Sequence, residues 1–187
     1  MFVHSSIADP FTEALVDHVK SLVVGDPLDE ATDVSALISQ GERERVTDWV
    51  AEAVAAGAQV AYGGSLTGDG VLEPTVLTGV QHDMKVCAKE VFGPVVTIAA
   101  YDDYEEALRL ANDSEYGLQA AVFTSDIGKA FKAFNTLDYG GVLVNEVPTW
   151  RADQQPYGGL RDSGNTREGP AYSVHEMTEL RFVAINP

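Results

Sequence analysis

Cysteine and positive charge are both scarce in this chain. Cys87 is the only cysteine, which excludes an internal disulfide and gives no sign of an oxidising compartment. Lysine and arginine number 12 against 29 aspartates and glutamates, for a net charge of −17. This balance argues against nucleic acid or an anionic membrane as a partner, because phosphate contacts require clustered cations.

Long apolar runs and metal-ligand spacings are missing as well. No stretch approaches the ~20 apolar residues of a membrane span. The opening residues MFVHSSIADP lack the basic and apolar regions of a signal peptide. The four histidines are scattered without the spacing of metal ligands, so we predict no metal site. With 45% hydrophobic residues in 187, the composition predicts a soluble globular protein of the cytoplasm.

The start of the chain has the pattern of a short strand followed by a helix. Residues 2–4 are predicted to end a strand. A helix is predicted over residues 9–24, with Asp9 as its cap and Pro10 in its first turn. One face of this helix is predicted to hold Phe11, Leu15, Val19 and Leu22.

A second helix and a hairpin are predicted next. Ser39 and Glu42 have the spacing of a capping box, and the helix that follows is predicted to stop near Gly57. The hairpin occupies residues 58–80, where the apolar segments AQVAYGG and EPTVLTGV flank turn residues.

Strand and helix patterns then alternate from residue 95 to residue 145. The continuous apolar run at 95–100 is typical of a strand buried on both faces. Helices are predicted over residues 103–112 and 126–137, and strands over residues 118–124 and 140–145. The last helix is predicted to have Ile127, Ala130, Phe131 and Phe134 on one side. The alternation predicts an α/β fold with a mostly parallel sheet.

The end of the chain has a different character. Residues 146–170 are rich in glycine, proline and charge and have no period, so we expect a long irregular loop, which is usually functional. The closing segment ELRFVAINP is predicted to be a lone strand.

Most isolated candidates for chemistry have a simpler structural interpretation. Cys87 lies between Lys85 and Lys89, which favours a thiolate, but no histidine base is adjacent and a small packed residue is the preferred interpretation. The acidic pairs at 102–103 and 105–106 suit a helix N-terminus. The glycine clusters YGGL and DSGNTREG predict turns, since no G-x-G-x-x-G or Walker pattern is present.

Four motifs together resemble the C-terminal part of the NAD(P)-dependent aldehyde dehydrogenase superfamily. They are KEVFGPV at 89–95, NDSEYGLQAAVFT at 112–124, GGVLVN at 140–145 and PYGGLRDSGNTREG at 156–169. Each is moderately specific alone, but their order and spacing make a strong combined signal over nearly the whole chain. The segment NEVPTWRADQQPYGG, residues 145–159, is most similar to the lactaldehyde dehydrogenase-like branch of the family.

The resemblance implies a cofactor contact at Glu90 and Phe92. In this family the acid of the E-x-F-G-P motif binds the ribose hydroxyls beside the nicotinamide of NAD or NADP, and the aromatic residue packs against that ribose. A carboxylate suits the first role because it accepts from two vicinal hydroxyls. This chain has Lys89 where the usual motif has a second acid, a departure outside the contact role.

The resemblance also implies a substrate wall in the segment after Asn145. Trp150, Arg151 and Tyr157 match positions that line the aldehyde tunnel. A guanidinium binds carboxylate or phosphate in a fork, so Arg151 suggests an anionic aldehyde. The alternative is a surface arginine paired with Asp153.

Other parts of the family mechanism have no match in this sequence. The family uses a cysteine nucleophile, a general-base glutamate and an oxyanion-binding asparagine, and the resemblance places the nucleophile a few residues before the segment that matches FVHSSIAD. We therefore expect no catalytic residue in this chain and no activity from the chain alone; Cys87 matches the cofactor side. Met1 stands where the family usually has valine, so an internal GTG start and a deliberately shortened chain are the two alternatives.

The domain expectation is a catalytic domain over residues 1–177, truncated at its N-terminus, and an oligomerisation arm over 178–187 that pairs with a neighbouring subunit's sheet. Two other functions stay open. One is a non-catalytic domain that joins itself or full-length relatives through the last strand. The other is a module that binds a small molecule through the ribose contact.

Overall fold

A four-stranded sheet organises the first part of the chain. The structure is a computed structural model that describes residues 1–187, and it divides into two units, Met1–Ala107 and Leu108–Pro187. The elements up to the boundary are β1 (Phe2–His4), α1 (Ser5–Lys20), α2 (Gln40–Ala55), β2 (Gln59–Tyr62), β3 (Thr75–Thr78), α3 (Lys85–Ala88) and β4 (Val95–Tyr101), while α4 (Tyr104–Asn112) spans it.

The sheet has the order β1-β4-β3-β2. β4 pairs in parallel with both β1 and β3, whereas β3 pairs antiparallel with β2 in the predicted hairpin. Two of the three pairings in this sheet are parallel, which confirms the predicted α/β class with a mostly parallel sheet.

Adjacent residues of β3 bury their side chains in two different clusters. Val76 packs in a cluster with Val16 and Val19 of α1, and Leu77 packs in another with Val50 of α2. Both β3 residues are fully buried, as expected when successive strand side chains point to opposite faces. The strand that is buried on both faces is therefore β3.

The sequence predicted that the apolar run at 95–100, which forms β4, is buried on both faces, and this prediction is wrong. Only Ile98 of β4 is buried, and most of its other residues are partly exposed. The apolar run alone could not show which of the two interior strands lies beneath the helices.

Helix α1 begins four residues earlier than its predicted cap at Asp9. His4 is the cap, and its Nδ1 accepts a hydrogen bond from the backbone N–H of Ser6 at 3.2 Å. The hydroxyl of Ser5 donates to the carboxylate of Asp102. This contact, 97 residues apart in sequence, secures the first turn, and Pro10 lies inside the helix.

Helix α2 confirms the predicted cap. The Ser39 hydroxyl oxygen accepts from the backbone N–H of Glu42 at 3.2 Å, and the helix ends at Ala55, two residues before Gly57. Val46 and Val50 face inward and are buried.

The second unit contains two small ladders. β6 and β7 pair in parallel, and β5 and β8 pair antiparallel. Its elements are β5 (Tyr116–Gly117), β6 (Gln119–Val122), α5 (Ile127–Thr136), β7 (Gly141–Val144), β8 (Leu160–Arg161) and α6 (Pro170–Glu176). The alternation predicted between residues 95 and 145 is confirmed element by element.

The end of the chain differs from the sequence-based expectation. Residues 146–170 are not wholly irregular, because they contain β8 and a bridge between Tyr157 and Glu168. Residues 178–187 form no strand in this chain and are exposed throughout. A strand needs a partner for its backbone hydrogen bonds, and none is present here. No helix in the structure combines the length and apolarity that a membrane crossing requires.

Candidate functional site

The loop before β4 presents Glu90 and Phe92 to solvent. Glu90 is exposed, and its carboxylate has no hydrogen-bond or ion-pair partner in the chain. Phe92 is 73% exposed, and its φ of 49° lies in the left-handed region. An exposed aromatic residue with this backbone conformation is uncommon outside functional sites.

Helix α2 holds this loop on both sides of Phe92. On one side, Nη2 of Arg45 donates a hydrogen bond to the backbone carbonyl oxygen of Val91 at 2.8 Å. On the other side, a Cβ added to Gly93 would lie 3.2 Å from a methyl group of the buried Val46. A side chain at position 93 would press against Val46, so the close approach of the loop to α2 favours glycine after Phe92.

Arg45 is itself fixed by two further contacts. Its Nε and Nη2 donate to one carboxylate oxygen of Glu42 at 2.9 and 2.6 Å, and the guanidinium lies 4.5 Å from the ring centre of Trp49. The hydrogen bond from Arg45 lowers the pKa of Glu42 below its usual range. Sequence reasoning missed Arg45; the available signal was its i,i+3 spacing from Glu42.

Cys87 has the environment of a packed residue. It borders the cluster of Val50 and Leu77. Burial raises the pKa of the Cys87 thiol, although a hydrogen bond with Thr97 acts in the opposite direction. The neighbouring Lys85 forms an ion pair with Glu52 at 2.8 Å. The interpretation as a small packed residue is thus supported over an activated thiolate.

Two of the three predicted substrate-wall residues are in contact in the second unit. The guanidinium of Arg151 lies 4.3 Å from the ring centre of Tyr157. Its Nη2 donates to Glu168 at 2.6 Å, so the alternative of a pairing with Asp153 names the wrong carboxylate. An isolated β-bridge between Tyr157 and Glu168 brings these groups together. In it, the Glu168 N–H donates a hydrogen bond to the Tyr157 carbonyl oxygen at 2.6 Å.

Trp150 joins neither contact. Its side chain is 47% exposed, and its backbone N–H donates to Val147 in a turn. Glu90 and Phe92 lie in the first unit and Trp150, Arg151 and Tyr157 in the second. No group of three or more histidine, cysteine, aspartate or glutamate side chains is placed to hold a metal ion.

The chain belongs to the aldehyde dehydrogenase family, whose sequence profile matches residues 1–183. 3-Sulfolactaldehyde dehydrogenase from Priestia megaterium is 47% identical over 186 residues, covering 100% of this chain and 39% of the relative. Lactaldehyde dehydrogenase from Methanocaldococcus jannaschii is 40% identical, covering 100% of this chain and 40% of the relative. These names confirm the expected similarity to the lactaldehyde dehydrogenase-like branch, and the chain spans about 40% of the length of such relatives.

Solved structures agree with the family assignment. Aldehyde dehydrogenase 21 from Physcomitrella patens, in complex with its reaction product succinate, has a TM-score of 0.90 at 42% identity, over 95% of this chain and 37% of that chain. Betaine aldehyde dehydrogenase from Staphylococcus aureus, in complex with NAD⁺, has a TM-score of 0.86 at 39% identity, over 94% of this chain and 36% of that chain.

Proposed function

We propose that this chain is the C-terminal part of an NAD(P)-dependent aldehyde dehydrogenase, which oxidises an aldehyde to a carboxylic acid. In this proposal Glu90 binds the ribose next to the nicotinamide and Phe92 packs against it. The observation that carries the proposal is the exposed, unpartnered Glu90 carboxylate beside the exposed, left-handed Phe92.

The two side chains fit the nicotinamide end of the cofactor. A carboxylate without an internal partner has its acceptor positions available for two vicinal hydroxyls. An aromatic ring that is 73% exposed offers an apolar face to a sugar. The nicotinamide, when bound, supplies the hydride acceptor, and the role of this chain is to hold its ribose in place.

We infer that the chain alone has no aldehyde-oxidising activity. Attack on an aldehyde in this family requires a cysteine thiolate. Cys87 does not fit that role, because burial raises its pKa and it packs against the apolar cluster that contains Val50 and Leu77. Turnover by the isolated chain that persists in Cys87→Ser, and is absent from a mock preparation, would contradict this.

For the substrate, we propose a short aldehyde that carries an acidic group, with Trp150, Arg151 and Tyr157 as its wall. Two similar proteins support this class: one is named for a sulfonated aldehyde, and the other was solved with the dicarboxylate succinate. Arg151 donates only one hydrogen bond to Glu168, from Nη2, so its Nε and Nη1 are available as donors to an anion.

A chimaera tests the cofactor role. This chain would replace the matching segment of the Priestia megaterium 3-sulfolactaldehyde dehydrogenase, which supplies the remaining part of the polypeptide. Glu90→Gln keeps the shape but removes the charge, so NAD binding should weaken by about 10-fold or more, the size of a lost hydrogen bond to a charged group. Glu30→Gln, in an exposed loop of the same unit, is the control. Unchanged NAD binding in Glu90→Gln contradicts the proposal.

A matching experiment tests the substrate class. In the same chimaera, Arg151→Gln should raise KM for an aldehyde with an acidic group by about 10-fold and leave KM for an uncharged aldehyde of similar size unchanged. An equal effect on both aldehydes would assign Arg151 to the local structure around Glu168 and Tyr157 instead.

The alternative function is a non-catalytic domain that oligomerises through its C-terminal segment. It is supported by three large apolar side chains, Leu180, Phe182 and Ile185, which are 87–97% exposed. Size-exclusion chromatography with and without residues 178–187 tests it, and a monomer in both cases excludes it.

A further inference from the structure

We infer that Arg45 is a positioning residue for the nicotinamide-facing pair, Glu90 and Phe92, an inference that rests on the proposed function. Arg45 is on α2 and does not belong to the E-x-F-G-P motif. It acts on the backbone between the two side chains, because its hydrogen bond goes to the carbonyl oxygen of Val91.

This carbonyl belongs to the peptide unit that controls the direction of Phe92. The φ angle of Phe92 describes rotation about its N–Cα bond, relative to the peptide plane that contains the Val91 carbonyl and the Phe92 N–H. An L-residue rarely adopts φ near 49° without support from its surroundings. A fixed Val91 carbonyl, together with Gly93 packed against Val46, provides that support from both sides.

The guanidinium shape matters as much as its charge. Arg45 uses Nε and Nη2 on Glu42, uses Nη2 again on Val91, and lies over the Trp49 ring, all from one planar group. A lysine ammonium has no planar fork to satisfy these directions together. Arg45→Lys is therefore expected to release the loop, although it retains the charge opposite Glu42.

The same helix offers a matched control two residues away. Nη1 of Arg43 donates to the backbone carbonyl oxygen of Gly70 at 2.7 Å. It is the same type of bond, from the same helix to a different loop. Arg43→Gln removes a comparable contact while leaving the loop at 90–93 in place.

The first experiment measures the loop directly, without cofactor. Chymotrypsin cleavage after Phe92 should be slow in the wild-type chain and about 10-fold faster in Arg45→Gln and Arg45→Lys, because a protease requires a loop that can change shape. Cleavage after Phe182, which is 90% exposed, serves as the internal reference. Arg43→Gln should cleave after Phe92 at the wild-type rate.

The second experiment measures cofactor binding in the chimaera. The Kd for NAD should rise about 10-fold in both Arg45 variants, the KM for the aldehyde should stay within 2-fold, and Arg43→Gln should match wild type. If Glu90→Gln weakens NAD binding while the Arg45 variants do not, Arg45 has no positioning role and the proposed function stands.

Two other results are equally decisive. If Glu90→Gln leaves NAD binding unchanged, the proposed function fails, and the inference about Arg45 fails with it. If urea unfolding shows that the Arg45 variants lose enough global stability to account for their faster cleavage after Phe92, Arg45 is a general structural residue and the inference is overturned.

Discussion

Both ends of the Asn145 side-chain amide are hydrogen-bonded to the backbone of Thr124. Its Oδ1 accepts from the Thr124 N–H at 2.8 Å, and its Nδ2 donates to the Thr124 carbonyl oxygen at 3.0 Å. Asn145 has a φ of 56°, and its own N–H donates to Val122. The amide thereby ties the segment after β6 to the end of β7, where the segment that holds the proposed substrate wall begins.

Asn145→Ala should destabilise the fold by about 2 kcal/mol. It removes two partly exposed hydrogen bonds and places alanine in the left-handed region, and each of these two effects costs about 1 kcal/mol. Asn145→Asp should cost about half as much, because aspartate tolerates this backbone and retains the acceptor. Urea unfolding of the three proteins gives the comparison, and equal losses would show that the backbone conformation plays no part.

Glu90 and Phe92 could be selected from the sequence as candidate cofactor contacts because they belong to a short local motif. Glu90 and Phe92 are two positions apart, and a sequence of five residues carries the signal. Arg45 could not be found in this way, because its partner Val91 is 46 residues distant and contributes only a backbone carbonyl, which any residue would supply. The Glu168 partner of Arg151 was missed for a related reason, since Asp153 is closer in sequence.

For the fold, the hydrophobic period located elements better than it located their boundaries. Ser39 caps α2 through a local contact, and its prediction is confirmed. Helix α1 begins after a different local cap, His4, whose imidazole accepts from the Ser6 N–H, so the signal at Asp9 and Pro10 indicated the wrong residue. Short strands such as β8, which has two residues, are too brief to show any period.

The environment of Cys87 predicts slow alkylation. Because burial raises the thiol pKa, less thiolate is present near pH 8 than in the unfolded chain, whose thiol titrates at about 8.5. The rate of reaction with iodoacetamide should therefore rise with pH, and the midpoint of this rise should lie at a higher pH than in the urea-unfolded chain, which is the control. A midpoint below it would mean that the hydrogen bond with Thr97 and the charge of the Met1 ammonium outweigh the effect of burial on the thiol pKa.

The same pKa shift has a consequence for stability. A folded-state thiol pKa above the unfolded value stabilises the native state at pH values below about 8.5, and this contribution is lost as the pH rises through the folded value. The free energy of unfolding should thus fall more between pH 8 and pH 10.5 in the wild-type chain than in Cys87→Ser. Equal falls would show that the thiol has no linked effect.

Removal of the C-terminal segment should leave the fold intact. Residues 178–187 are exposed and form no strand, so a chain that ends at Met177 loses almost no buried apolar surface. We expect its free energy of unfolding to change by less than about 0.5 kcal/mol, as for surface changes in general. A larger loss, measured by urea unfolding at a concentration where the protein is monomeric, would mean that the segment packs on its own chain.

Helix α5 has an apolar arc of which only one part is covered. Ala130 and Ala133 are buried, whereas Ile127, Phe131 and Phe134 are 61–72% exposed. At about 100° per residue, the three large side chains lie within about 60° of one another, beside the arc of the alanines. The apolar period correctly predicted the helix, but it could not indicate which part of the arc is covered in this chain.

The exposed stripe of Ile127, Phe131 and Phe134 should make the isolated chain bind hydrophobic dyes and aggregate. The double variant Phe131→Ser, Phe134→Ser is expected to reduce anilinonaphthalene sulfonate fluorescence and to raise the concentration at which the protein precipitates. Because these rings are mostly exposed, its free energy of unfolding should change by less than about 1 kcal/mol. Lys132→Ser, on the polar side of the same helix, should leave dye binding unchanged. If the double variant instead unfolds, the rings pack against their own unit in solution, contrary to their exposure in the structure.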